Sequence, residues 1–379
     1  MAKSRLLFVD NLRTLVIVLV ILVHLSITYG GEGGWYYSEG PKGTISSILL
    51  TWFNATCQSF FMGLLFLLSA YFTADACERK GPGRFAKDRL LRLGIPMLVY
   101  DWVLHPLSVC SLMAAGYYGP EASCRAWLGE YFSGFHMGRG PLWFVETLLF
   151  FSLIYLLHRR VWPSKTRIAT TDRRCPRDRE IVVLILLLSI ASFIVRFWFP
   201  LGWSFEPFNL QLCFFPQYIA LFVLGIHAYH RGWLMAIPAK TGRRWLAIAA
   251  VLILVGFPLL FLLGGAMRGN LTPFKGGFHW QSLALAMWEH ATGIALMITL
   301  LVLFRERFNR PNRLTVEASA SSYAAYVIHA PVIILGALAV RHVTIYPLLK
   351  FVVVSLVLVP LCFLLAAGIR RLPVARRIL

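Results

Sequence analysis

Ten runs of about 20 apolar residues recur along the chain, and this feature limits the available folds more than any other. A run of that length spans the hydrocarbon core of a membrane as one α-helix. Hydrophobic residues make up 58% of the chain and charged residues 14%, whereas soluble domains carry roughly 45–50% and roughly 25%. We therefore expect an all-α, polytopic membrane bundle of about ten helices, with residues 1–379 forming a single domain. The predicted spans are Leu12–Tyr29, Ile48–Ala76, Leu93–Ala115, Leu142–His158, Ile181–Phe199, Leu210–Tyr229, Trp245–Ala266, Leu283–Phe304, Ser319–Val340 and Leu348–Ile369.

The basic residues lie in short blocks between these spans. If the N-terminus is cytoplasmic, 29 of the 37 lysine and arginine residues fall in cytoplasmic segments, as the positive-inside rule requires. We therefore expect both termini in the cytoplasm. The formal charge of +20 then reflects orientation in the membrane rather than a nucleic-acid-binding surface, so we expect no nucleic-acid partner.

The cysteines and the loops exclude several other classes of protein. The seven cysteines contain no CxxC pair, and no histidine spacing suits zinc, so we expect no metal site. The sequence does not favour a bridge between Cys110 and Cys124. Because the loops are too short to form a separate catalytic domain, any chemistry is expected to take place within the bundle.

The first span contains ionisable side chains, which are costly in lipid and therefore point to a function. Arg13 and His24 share one face of a helix and lie about 16.5 Å apart along its axis. Asp10 lies one turn before Arg13 and can hold its guanidinium. On the predicted topology, Arg13 lies at the cytoplasmic mouth and His24 beyond the middle of the membrane. The alternative is that Arg13 anchors the helix end and His24 packs between helices.

An arginine and a histidine in this arrangement resemble the first-helix signature of the acyltransferase 3 family of integral membrane acyltransferases. Four further fragments resemble motifs of that family and occur in its order. They are Ser69–Phe72, in which Ala70 replaces the usual glycine, Arg89–Pro96, Pro141–Phe144 and Ser322–Pro331.

The resemblance implies transfer of an acyl group from a cytoplasmic coenzyme A thioester to a hydroxyl group. Acyl-CoA, acetyl-CoA in particular, would be the co-substrate, with no metal required. The implied acceptor is a glycan or another hydroxyl compound that is extracytoplasmic or lipid-linked. The implied location is the bacterial inner membrane, where membrane lipid surrounds the protein.

His24 is the expected catalytic residue in this chemistry. Ser26, Thr28 and Tyr29 follow it in the helix but are too weakly basic near neutral pH to accept a proton. His24 would either take the proton of the acceptor hydroxyl or carry the acyl group covalently. The sequence leaves both routes open.

Three arginines are expected to meet the donor near the cytoplasmic face. Arg13 would contact the cofactor, and Arg89 and Arg92 can bind phosphates through their planar guanidinium groups. Simple anchoring at the cytoplasmic face is the alternative for Arg89 and Arg92.

Four other residues are expected in the pocket: Asp10, Glu146, His329 and Tyr323. Glu146 would hold acceptor hydroxyls or, alternatively, pair with Arg139 or Arg196. Buried ionisable residues without an assigned role are Asp101, His105, Glu289 and His290. The outer aromatic residues fit an interfacial belt more simply than a sugar-binding surface; they are Trp35, Tyr36, Tyr37, Trp203, Phe278 and Trp280.

Two functions of other classes remain as alternatives to the acyltransferase. A transporter or flippase for an acylated or lipid-linked sugar could use the same buried arginine and histidine, but would favour paired broken helices. A membrane scaffold in glycan export would not need to bury Arg13, His24 and His329.

Overall fold

The described part of the chain is built almost wholly of α-helices. A computed structural model of the protein describes residues 6–40, 44–134, 138, 140–162, 175–206, 208–266 and 269–378. Across these residues, β-structure is limited to an isolated bridge between Phe205 and Leu210. The long helices are α1 (Leu7–Thr28), α2 (Ile45–Lys80), α3 (Pro82–Ala114), α4 (Cys124–Ser133), α5 (Trp143–Val161), α6 (Asp178–Val195), α7 (Phe215–Arg231), α8 (Ala239–Leu263), α9 (Trp280–Arg307), α10 (Arg313–Ala339) and α11 (Pro347–Ile369).

The predicted all-α membrane bundle is confirmed. Within the described ranges, nine helices are long and apolar enough to cross a membrane. The remaining predicted span, Ile181–Phe199, corresponds to α6, whose 18 residues begin with the charged sequence Asp178–Glu180. Helix α3 begins at Pro82, well before the predicted start at Leu93. The prediction placed the start too late because the first turns of the helix are charged and carry no apolar signal.

Prolines shape the two helices that contain π-turns. In α3, π-turns at Leu90–Gly94 and Tyr100–Leu104 are each followed two residues later by a proline, and α8 repeats this pattern. Proline cannot donate the backbone hydrogen bond and clashes with the preceding turn, and the wider π-turn relieves that clash. Helix α3 thus continues through both prolines to Ala114.

Helix α1 lies inside the bundle, in contact with α2, α9 and α10. Helix α2 is the most enclosed, since 78% of its most apolar window is buried, whereas only 11% of the corresponding window of α8 is buried. Helix α8 therefore presents apolar side chains outward, as a lipid-facing helix does.

Two glycines bring α2 into close contact with its neighbours. A Cβ atom at Gly225 of α7 would overlap the Leu67 carbonyl oxygen of α2, and one at Gly293 of α9 would overlap the Ser59 carbonyl oxygen. Small residues at such positions allow membrane helices to approach until their backbones touch.

A buried polar network joins α6, α7 and α9. Arg196 Nη2 lies 2.6 Å from Glu289 Oε2, and both side chains are buried. His290 Nε2 lies 2.8 Å from Ser192 Oγ, and its Nδ1 lies 3.3 Å from Gln217 Nε2. Glu289 and His290, which the sequence left without a role, therefore connect α9 to α6 and α7.

The structure contains a disulfide bond between Cys110 and Cys124, contrary to the sequence-based expectation. Helix α4 begins at Cys124 and folds back on the C-terminal end of α3, so the two Cα atoms lie 5.1 Å apart. Hydropathy could not show this reversal, because it depends on the turns near Gly116 and Gly119. Disulfides persist in oxidising compartments, so this bond fits the expected extracytoplasmic position of the segment.

Candidate active site

His24 lies among aromatic rings near the C-terminal end of α1. Its imidazole stacks on the Trp35 ring with 3.9 Å between centroids, and the His329 ring lies 5.2 Å away, also nearly parallel. His24 is half-buried, whereas His329 is fully buried. The structure therefore brings together two of the predicted site residues, which are 305 positions apart in the sequence.

The hydrogen bonds of His329 define which of its nitrogen atoms carries a proton. Its Nδ1 lies 2.5 Å from the Tyr326 carbonyl oxygen, and because a carbonyl only accepts, Nδ1 is the donor. Within the described residues, neither Nε2 of His329 nor Nδ1 of His24 has a hydrogen-bond partner. Two buried imidazole nitrogen atoms thus lie close together without a hydrogen-bond partner among the described residues.

A cavity of about 910 Å³ has His24 in its wall. Val20, Val23 and Ile27 line it on the same face of α1, and Glu32 and Gly34 line it where the α1–α2 loop is exposed. The cavity thus runs from the exposed loops, past His24, to the level of Val20. From there, Arg13 is about 10 Å farther along the helix axis.

Two amide side chains on α2 face this cavity. Asn54 donates to the Glu32 carbonyl oxygen at 3.0 Å and accepts from the Ser26 hydroxyl, and Gln58 donates to the Tyr218 hydroxyl at 3.1 Å. Neither residue was expected in the site from the sequence. Polar side chains one turn apart in an apolar span are the signal that could have identified them.

The loop that carries Trp35 is fixed by a buried ion pair. Lys350 of α11 lies 2.5 Å from Glu39, and both side chains are largely buried. Tyr37 donates a hydrogen bond to the other oxygen of the Glu39 carboxylate at 2.8 Å. Trp35 is therefore held half-buried on His24, a contact that the expectation of an interfacial belt did not include.

His105, which had no assigned role, also lines the cavity. Its Nδ1 lies 2.7 Å from the Tyr36 hydroxyl, which is 3.2 Å from the Tyr100 hydroxyl. Burial raises the pKa of Tyr36, so its phenol remains protonated at neutral pH. Tyr36 thus orients His105, and it lines the cavity beside Trp35.

The predicted arginines lie toward the N-terminal end of α1, opposite His24. Arg13 and Arg92 both lie within electrostatic range of Arg89. Arg89 donates to Thr73 at 3.3 Å, and its Nε has no partner among the described residues. Arg92 pairs with Asp88 at 3.1 Å. Arg89 thus lies near both of the other predicted arginines, and the positive charge of this group favours a polyanion.

The other predicted residues are distributed between these two ends. Tyr323 donates to the Arg92 carbonyl oxygen at 2.9 Å and so lies with the arginines. Asp10 lies within electrostatic range of Arg13. Glu146 is buried in the first turn of α5, one turn from Trp143, which lines the cavity. Of the partners considered for Glu146, Arg196 binds Glu289 instead, and Arg139 lies outside the described residues.

A comparison with models of protein families matches residues 6–367 to the model described as an acyltransferase domain. The chain belongs to the acyltransferase 3 family. The match extends over nearly the whole chain and confirms the resemblance inferred from the sequence motifs. The protein is therefore a multi-pass membrane acyltransferase, and family membership favours this function over the transporter and scaffold alternatives.

Curated relatives of this family member are proteins named glucans biosynthesis protein C. The one from Shigella dysenteriae serotype 1 is 24% identical over 357 residues, which cover 89% of this chain and 84% of that protein. The one from Escherichia coli K12 is 34% identical over 91 residues, which cover 24% of this chain and 22% of the relative. No solved structure matches the chain.

Proposed function

We propose that this acyltransferase moves an acyl group, acetyl in particular, from cytoplasmic acyl-CoA to a hydroxyl of an extracytoplasmic or lipid-linked glycan. We place it in the bacterial inner membrane with both termini in the cytoplasm. One observation supports the proposal most: His24 in the cavity wall and Arg13 among basic side chains occupy opposite ends of one face of α1. Such a helix can hold the phosphates of a donor at one end and the acyl carbon near the other.

The lining of the cavity supports a glycan acceptor. Amide side chains such as Asn54, Gln58 and Gln211 can bind hydroxyl groups, and Trp143 and Tyr218 offer aromatic surface for sugar rings. The relatives' names also connect them with glucan biosynthesis.

His24 would act by one of two routes. In the direct route, His24 takes the proton of the acceptor hydroxyl while that oxygen attacks the thioester carbonyl. The carbon–sulfur bond breaks, the acyl group remains on the hydroxyl oxygen, and the proton passes from His24 to the departing thiolate. In the covalent route, an imidazole nitrogen of His24 attacks the thioester carbon, the carbon–sulfur bond breaks, and the departing thiolate takes the proton of the imidazolium. The acceptor hydroxyl then attacks the acyl-imidazole, the acyl–nitrogen bond breaks, and the hydroxyl proton returns to the imidazole. Trp35 covers the imidazole in both routes and limits access of water to the thioester.

The direct test supplies labelled acetyl-CoA to one face of vesicles that contain the purified protein and to matched vesicles that contain His24→Gln. Labelled acyl groups should appear on a glycan only with the wild-type protein. Release of labelled acetate alone, in equal amounts from both samples, would contradict the proposal.

Arg13→Ala should weaken binding of acyl-CoA by roughly 1.5–3 kcal/mol, because it removes a charge-assisted contact. Arg13→Lys should recover only part of the affinity, since it keeps the charge but loses the planar fork. Affinity is measured by equilibrium binding to purified protein. Arg371→Ala is the matched control, because Arg371 is exposed near the C-terminus. Wild-type affinity in Arg13→Ala would make Arg13 a simple helix anchor.

The proposed orientation, with both termini in the cytoplasm, can be tested separately with reporter fusions. A reporter fused after Leu379, or inserted within residues 170–174, should report cytoplasm, whereas one within residues 119–122 should report the outside. The first two positions lie outside the described residues; the third lies between the two disulfide-bonded cysteines. An outside signal from either of the first two positions would refute the proposed topology.

A further inference from the structure

A second cavity, of about 580 Å³, lies between α6, α7, α8 and α9. Helix α7 separates it from the site of His24: Tyr218 near its start lines the first cavity, whereas residues from Leu221 to Arg231 line the second. The walls are mainly aliphatic and include Leu184, Leu187, Leu221, Leu224, Ile298 and Leu301. No step of the proposed acyl transfer uses this space.

The rim of this cavity, which we call the α6–α9 cavity, faces both lipid and one membrane surface. Val183 and Leu187 of α6 line it and are also exposed on the outside of the bundle, where lipid would lie. His227 and Arg231 line it at the C-terminal end of α7, which is cytoplasmic on the proposed topology. A lipid could therefore enter from the side and keep its headgroup at the surface.

The charge at the rim favours an anion. Arg231 lines the cavity and is exposed, and Arg305 is nearby, where it donates to the Met235 carbonyl oxygen at 3.1 Å. Glu180 is the acidic residue of the lining, and its carboxylate accepts a hydrogen bond from the Arg177 backbone N–H at 2.9 Å. Basic pockets between membrane helices on the cytoplasmic side bind anionic headgroups.

We propose that the α6–α9 cavity holds an acyl chain of an anionic phospholipid from the cytoplasmic leaflet, with its headgroup phosphate at Arg231. The aliphatic walls bury the chain, as a mostly apolar ligand site requires. A zwitterionic lipid would fill the walls equally well but would bring no net charge to the arginine. This site is independent of the proposed acyl transfer.

Photo-crosslinking of the full chain tests the site. The protein is reconstituted in phosphatidylethanolamine vesicles that contain a small fraction of phosphatidylglycerol with a diazirine in one acyl chain. Phosphatidylethanolamine with the same labelled chain serves as the second probe. We expect adducts on Leu184, Leu221 and Ile298, about five-fold more from the anionic probe than from the zwitterionic one.

Three variants make the test specific. Arg231→Gln should lower labelling by the anionic probe about five-fold, whereas Arg371→Gln, at an exposed arginine away from the cavity, should leave it unchanged. Leu224→Trp should fill the cavity and remove the adducts. If Leu224→Trp does not fold, Arg231→Gln decides, since Arg231 is exposed. Equal labelling by both probes, adducts confined to outward-facing Leu186 and Ile190, or displacement of the probe by a long-chain acyl-CoA would each overturn the proposal.

Discussion

His24→Ala and His24→Gln should both fold, bind acyl-CoA and lose acyl transfer by about 10²-fold or more. Glutamine keeps a hydrogen-bonding side chain of similar reach but has no nitrogen that accepts a proton. In the structure, His24 lies in the cavity wall, and its buried Nδ1 has no hydrogen-bond partner among the described residues. The measurement is single-turnover transfer of labelled acyl groups by purified protein, together with thermal stability of the same samples.

The two variants separate catalysis from packing. If His24 only packed against Trp35 and His329, glutamine would restore most of the activity and the main loss would be in stability. His279→Gln is the control, because His279 is exposed and remote from the proposed reaction. Near-normal turnover in His24→Gln would exclude His24 as the base or acyl carrier.

Arg196→Met should lower the free energy of unfolding by about 3–5 kcal/mol, because it leaves Glu289 charged and buried without its partner. The Arg196 side chain is fully buried, so solvent cannot replace the lost contact. Unfolding by denaturant in a fixed detergent measures the loss. This variant should keep its affinity for acyl-CoA when folded, since Arg196 is not part of the cytoplasmic arginine group.

The matched control for this prediction is an exposed ion pair. Arg244 pairs with Asp178 at 2.5 Å, but both side chains are about half exposed, so Arg244→Met should cost less than about 1 kcal/mol. The double variant Arg196→Met with Glu289→Leu should recover much of the stability, because no buried charge remains. A loss below about 1 kcal/mol in Arg196→Met would show that the buried pair does not stabilise the fold.

The fold class could be predicted because lipid imposes a single strong condition on a spanning segment. About 20 apolar residues must satisfy their own backbone hydrogen bonds, so each run becomes a helix. The condition does not act on charged turns at the membrane surface, and for that reason the start of α3 at Pro82 was missed. The same condition gives no information on how α4 folds back against α3. That reversal brings Cys110 and Cys124 close enough to form a disulfide bond.

The candidate site was predictable only in part. Arg13 and His24 belong to one helix, and helical geometry alone places them on one face. The position of Trp35 on His24 depends on the Glu39–Lys350 pair, whose members are 311 positions apart in the sequence. Contacts of that kind follow from how helices pack, and hydropathy carries no record of them.

The close contacts of α2 at Gly225 and Gly293 also bear on how the enzyme can move. A helix whose backbone touches its neighbours at two points cannot translate along them without a carbonyl oxygen colliding with an α-carbon. We therefore expect α2, α7 and α9 to shift together rather than slide past one another. Helices α1 and α10, which carry His24 and His329, have no contact of this kind described above, and we expect any rearrangement around the two histidines to involve them first.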